Sequence, residues 1–198
     1  MAADKNFESH VSEEGTVISG RLIPEKSVNS LEYADILKFS NCHNITVTGC
    51  TIEGGIEDCI DAVRGKNYVI TDCTLCPLHT GNGVTLKGSI DGALLDRVTF
   101  TGHGKDCDID IGQFDNYWYI GRPPTRGISI YDTFAADKNP VIVRLWDAET
   151  PTVYTSNVKI VRIPKFIWWP YFVFRAIQTR GIKNIFKPVS EDTFIKTN

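Results

Sequence analysis

The sequence predicts an all-β fold in which one short coil is repeated along the chain. Three observations carry that prediction. Similar segments recur at a near-fixed interval, apolar and polar residues alternate within them, and Gly, Asn and Asp corners separate them. "NITVTGCTI" (44–52) is followed 23 residues later by "NYVITDCTL" (67–75), and a further 25 residues on by the looser "GALLDRVTF" (92–100). Their inward columns align as Val47, Ile70, Leu95, then Cys50, Cys73, Val98, then Ile52, Leu75, Phe100.

A second repeated strand lies between these copies: "ILKF" (36–39), "IDA" (60–62), "VTL" (84–86) and "IDI" (109–111). Its columns are Leu37, Ile60, Val84, Ile109 and Phe39, Ala62, Leu86, Ile111, with steps of 23, 24 and 25. Gly65, Gly88 and Gly112 follow this strand and mark a corner that recurs. Such a coil buries its apolar face only by stacking on its neighbours. The pattern continues in "VISGRLI" (17–23), "ISIYDTF" (128–134), "VIVRLW" (141–146) and "NVKIVRI" (157–163), which gives five to six coils. A β-sandwich is the rival fold, because its strands are also regularly spaced. The aligned columns favour the solenoid.

Residues 1–163 therefore form one solenoid domain, with a short polar N-terminal tail and a loop excursion at 113–127. That loop, "QFDNYWYIGRPPTRG", breaks the period. Helical periodicity is nearly absent. Residues 164–198 begin with the most aromatic stretch of the chain and end in an extended polar tail. Trp168, Trp169, Tyr171, Phe172 and Phe174 are expected to cap the last coil or to form an interface, and sugar stacking on Trp168 or Trp169 is a third role.

Composition narrows the function. The 198 residues are 42% hydrophobic and 23% charged, with a net charge of -3, which gives no electrostatic reason to expect nucleic acid. The start "MAADKNFESHVSEEG" has no apolar core of a signal peptide, and no run approaches the roughly 18 apolar residues of a membrane span. Six cysteines stand at 42, 50, 59, 73, 76 and 107. Cys73 and Cys76 make half of a zinc signature with no second half, so reduced, packed thiols are expected. No Gly-rich phosphate loop or Ser-His-Asp spacing occurs, and no cofactor is expected.

The period of 23–25 residues resembles that of the right-handed, single-stranded parallel β-helix of the pectate-lyase-like superfamily, over roughly residues 15 to 165. The resemblance implies a search for a sugar-cleaving site. Polygalacturonase-type glycosidases of that superfamily carry Asn-Thr-Asp, Asp-Asp, Gly-His-Gly and Arg-Ile-Lys on successive coils. Hydrolysis with inversion needs one protonated carboxyl and one carboxylate that activates water. Here Asp35 and Asp58 share one column, Glu57 flanks Asp58, and His79 lies about one coil beyond. The set Asp35, Glu57, Asp58 and His79 is thus the catalytic candidate.

Two features count against it. His103, in the only Gly-His-Gly, lies nearly two coils from Asp58, at about 4.8 Å per coil. Asp108-Ile109-Asp110 stands where the family has Arg-Ile-Lys, so the charge that would clamp a uronate is reversed. Asp106, Asp108 and Asp110 also raise a calcium site, but Lys38, Asp61, Thr85 and Asp110 form one outward column that reads as a solvated charged face, and no metal is assigned.

The expected function is a non-catalytic structural or binding module of a larger assembly. By resemblance it is a tailed-bacteriophage virion component (capsid-decorating, tail or spike-associated), assembled in the host cytoplasm. Its partners would be other virion or assembly proteins, further copies of itself, or a glycan. The alternative is a polygalacturonase-like glycoside hydrolase acting on a non-uronate polysaccharide.

Overall fold

The computed structural model describes residues 8–23, 35–54, 57–78, 80–115, 119–184 and 186–187. His79, the N-terminal tail before Glu8 and the C-terminal tail beyond Lys187 lie outside the described residues. The chain is a parallel β-solenoid of about five turns. In chain order the strands are β1 (Glu8–Val11), β2 (Val17–Ser19), β3 (Leu22–Ile23), β4 (Leu37–Thr48), β5 (Thr51–Glu53), β6 (Ile60–Thr71), β7 (Thr74–Cys76) and β8 (Val84–Asp96). They continue as β9 (Thr99–Phe100), β10 (Ile109–Gln113), β11 (Arg126–Tyr131), β12 (Phe134–Ala135), β13 (Val141–Leu145), β14 (Thr152–Tyr154) and β15 (Val158–Arg162), and one helix, α1 (Lys165–Arg180), follows.

Three parallel faces run along the stack. The first halves of β4, β6 and β8 join β1, β10, β13 and β15. Their second halves join β2, β11 and β14. The third face has the order β12-β9-β7-β5-β3. The predicted columns are the observed register: Leu37, Ile60, Val84 and Ile109 pair in line, as do Val47, Ile70 and Leu95, and Ile52, Leu75 and Phe100. Nearly all these side chains are fully buried, so stacking identical columns builds one continuous core.

The corners follow from backbone chemistry. Gly49, Asp72, Arg97 and Asp132 each follow the last residue of a second-face strand segment, and each has positive φ, between 40° and 60°. The bend into the third face thus uses a left-handed residue on every turn. Gly65, at the first corner, has φ +104°, and a Cβ there would lie 1.9 Å from the Cys42 carbonyl oxygen, so only glycine fits. Between Val63/Gly65 of β6 and Lys87/Ile90 of β8 the register shifts, because β8 carries one extra residue at this corner.

All six cysteines are free thiols, five of them buried. Cys50 and Cys73 each donate to the carbonyl two residues back, Thr48 and Thr71, at 3.4 and 3.2 Å. They act as small core residues that also satisfy a corner carbonyl.

The helix α1 departs from the predicted near-absence of helix. Residues 166–174 are apolar at every position, so no one-sided stripe with a 3.6-residue period betrays α1. Gly181 ends it with φ 75°, its N–H donating to the Ile177 carbonyl at 2.8 Å. Trp168 and Ala176 are buried against Phe114 of the 113–127 excursion, with Ile120, Trp146, Phe172 and Ile177 around them. Phe114 stacks on Phe172 at 3.5 Å between ring centroids. This cluster is separate from the solenoid core, and α1 packs on it through Trp168, Phe172 and Ala176. Ile160 of β15 stays 40% exposed, although its column neighbours Ile109 and Val143 are 0% exposed.

Candidate functional site

The acids singled out above gather on the first face. Asp35 stands two residues before Leu37 and Asp58 two residues before Ile60, which puts them on successive turns. Their carboxylates accept backbone N–H groups of the next turn. Asp35 Oδ1 accepts from the Asp58 N–H at 3.2 Å, and Asp58 Oδ1 from the Asn82 N–H at 2.8 Å. Asn82 Oδ1 in turn accepts from the Cys107 thiol at 3.3 Å. Position by position, this column stitches four turns together.

The residue one turn beyond Asp58 is therefore Asn82, three positions past the predicted His79. Gly81 and Gly83 flank it, so the Gly-X-Gly stacked over Asp58 carries an amide in place of the imidazole. A Cβ at Gly81 would lie 1.7 Å from the Glu57 carbonyl oxygen, and one at Gly83 would lie 2.2 Å from the Phe100 ring, which is why both flanks are glycine. Glu57 itself is exposed.

The neighbouring column corrects an expectation. Lys38, Asp61, Thr85 and Asp110 pair in line as predicted, but Asp61, Thr85 and Asp110 are 0% exposed. This is a buried ionic layer in place of a solvated face. The alternation of a strand tells which side a residue faces, not whether that side is wet. Lys38 Nζ reaches Asp35 Oδ2 at 2.9 Å and Asp61 Oδ2 at 2.7 Å, and Lys87 Nζ reaches Asp61 Oδ2 at 3.0 Å. Further along, Arg144 bonds Asp110 Oδ2 at 2.6 Å and Asp106 at 3.0 Å, while the Trp146 indole N–H donates to Asp110 Oδ1 at 2.7 Å.

Electrostatics divides the acids into two kinds. Burial pushes the Asp35 carboxyl up to about 7, and the Asp61 charge adds to the push. Burial and then Asp61 likewise raise Asp58 to about 6. For Asp61 burial opposes ionisation, yet Lys87 and Lys38 outweigh it and hold the carboxyl below its usual range. Burial raises Asp110 against the pull of Arg144.

His103 is tied into the fold more tightly than a lone turn histidine. Its Nδ1 lies 2.9 Å from Asp108 Oδ1 and its Nε2 3.1 Å from Asp137 Oδ2. Burial lowers its pKa, but Asp108 and then Asp137 outweigh that and raise it. Asp108, buried at the start of β10, uses its other oxygen to accept the Ile142 N–H at 2.8 Å. The Gly-His-Gly turn thus ties the third and first faces together. Asp106, Asp108 and Asp110 diverge onto Arg144, His103 and the Arg144–Trp146 pair, and among the described residues no group of three or more His, Cys, Asp or Glu side chains could hold a metal.

The aromatic candidates split. Trp168 is buried and donates its indole N–H to the Ile163 carbonyl at 3.0 Å, and Phe172 packs beside it. Trp169, Tyr171 and Phe174 face outward, together with Phe166 and Ile167, which the sequence reading did not single out. An open groove of about 580 Å³ lies on the second face, lined by Asn67, Val69, Gly92, Ser129 and Tyr131, and neither Asp35 nor Asp58 lines it. No family model matches the chain, and neither the curated proteins nor the solved structures yielded a significant match.

Proposed function

We propose that this chain is a non-catalytic β-solenoid that serves as a structural and binding module in a larger assembly, with the outward aromatic face of α1 as its docking element. One observation carries the reading. The carboxylates that would do chemistry are spent as stitches between turns, while large apolar side chains stand exposed along α1. A sugar in reach of Asp35 or Asp58 would have to enter a site only 1% or 8% exposed, and at Asp35 it would have to displace the ion pair with Lys38.

The assembly we favour is a tailed-bacteriophage virion, with the protein in a capsid-decorating, tail or spike-associated position and assembled in the host cytoplasm. Support for this placement is analogy at the level of fold: a stiff stacked solenoid with an adhesive helix suits a virion part. Capsid and tail genes beside its gene would support the placement, and a metabolic gene cluster would remove it. Size-exclusion chromatography with light scattering tests the binding role. Association, with itself or with a co-purified partner, that disappears in Phe166→Ser/Phe174→Ser is the expected outcome.

A second reading is favoured by one observation. Carboxyls raised to about 7 and about 6 suit a general acid of a glycoside hydrolase acting on a non-uronate polysaccharide. A reducing-sugar assay across neutral glycans tests it. Hydrolysis that disappears in Asp58→Asn would replace the structural reading with this one.

A further inference from the structure

An α-helix that is apolar all round its circumference must bury both sides. α1 buries one side against Phe114 and Trp146, and the opposite side carries Phe166, Ile167, Tyr171 and Phe174 into solvent, Phe166 being 79% exposed. The following turn adds exposed Ile182 and Phe186. Pro164–Lys187 also contains Lys165, Arg175, Arg180, Lys183 and Lys187 and no Asp or Glu. Against a whole-chain charge of -3, this stretch carries +5 and leaves -8 for the remainder.

We propose that α1 and the turn after it lie on an anionic lipid surface, with the outward aromatic face in the headgroup–acyl boundary and the lysines and arginines against the headgroups. The proposal rests on the reading of α1 as the docking element and names its occupant. Interfacial helices combine aromatic and aliphatic side chains on one face with flanking Lys and Arg. Tyrosine and tryptophan suit a boundary that is apolar on one side and wet on the other. Three of the five cations are lysines, which protein interfaces avoid and anionic headgroups accept. No helix among the described residues is long and apolar enough to cross a membrane, so α1 would lie in the boundary plane.

Flotation of the full chain tests this, with vesicles of pure phosphatidylcholine and vesicles in which about one third is phosphatidylserine. Binding to the anionic vesicles at least about tenfold tighter is expected, weakened by salt and accompanied by a blue shift of tryptophan emission. Phe166→Ser/Phe174→Ser and Lys183→Glu/Lys187→Glu should each abolish most of it, with an unchanged circular dichroism spectrum confirming the fold. Equal or absent binding to the two vesicle types would overturn the lipid assignment. If light scattering then shows protein association that the Phe166→Ser/Phe174→Ser variant loses, α1 remains the docking element with a protein partner. If that variant changes neither readout, the docking reading falls as well.

Discussion

At the scale of single residues, Asp61 is the keystone of the first face. It is fully buried and neutralises two lysines with one oxygen, while its Oδ1 has no hydrogen-bond partner. Asp61→Asn removes the buried charge that Lys38 and Lys87 share and leaves Lys38 with Asp35 alone. A loss of about 3 kcal/mol or more in urea unfolding is expected, because breaking a buried pair costs far more than the pair contributes. Asp35 and Asp58 behave oppositely. Their folded pKa values lie above the unfolded value near 3.8, so folding takes up protons between about pH 4 and 7. The stability they contribute is fully present below the unfolded pKa and lost as pH rises through 6 to 7. His103, also raised, adds to the same slope. The melting temperature should therefore be higher at pH 5 than at pH 8, by about 5 °C or more. Asp58→Asn keeps an oxygen for the Asn82 N–H without the charge, and should flatten that profile without lowering stability at pH 8. The shared column of Asp35 and Asp58 was legible in the sequence because the 23-residue step is regular there. The burial of Asp61 was not, because it depends on which cations stack above and below it.

At the scale of elements, the strands and the helix differ in legibility for one reason. A strand in this fold is read against its copies on neighbouring turns, and Val47, Ile70 and Leu95 confirm one another. α1 has no copy, and its aromatic run hides its period. The 113–127 excursion was legible only as a break, yet its Phe114 is the bed on which α1 lies. Because that cluster is separate from the solenoid core, α1 should open as a unit of its own. Trp168→Ala removes the central ring and the bond to the Ile163 carbonyl. Amides of residues 166–180 should then exchange with deuterium at least about tenfold faster, while protection in β4 and β6 is unchanged. Equal loss of protection in both regions would mean that the helix and the solenoid fold as one unit.

At the scale of the whole molecule, each turn touches only the turns beside it, so stability is close to a sum of turn-to-turn terms. The register shift at the first corner shows where that chain of terms has slack. β8 accommodates one residue more than β6 there, yet the columns on both sides realign, from Ile60 and Val84 to Ile70 and Leu95. The corner acts as an expansion joint, whereas the described third-face strands pair without a register shift. One residue inserted after Gly88 should cost less than about 1.5 kcal/mol in urea unfolding, whereas the same insertion between Thr99 and Phe100 should cost about 3 kcal/mol or more by turning Phe100 out of the core. Length variation between related chains should accordingly collect at this corner, and a peptide tag placed there would leave the stacked columns in phase.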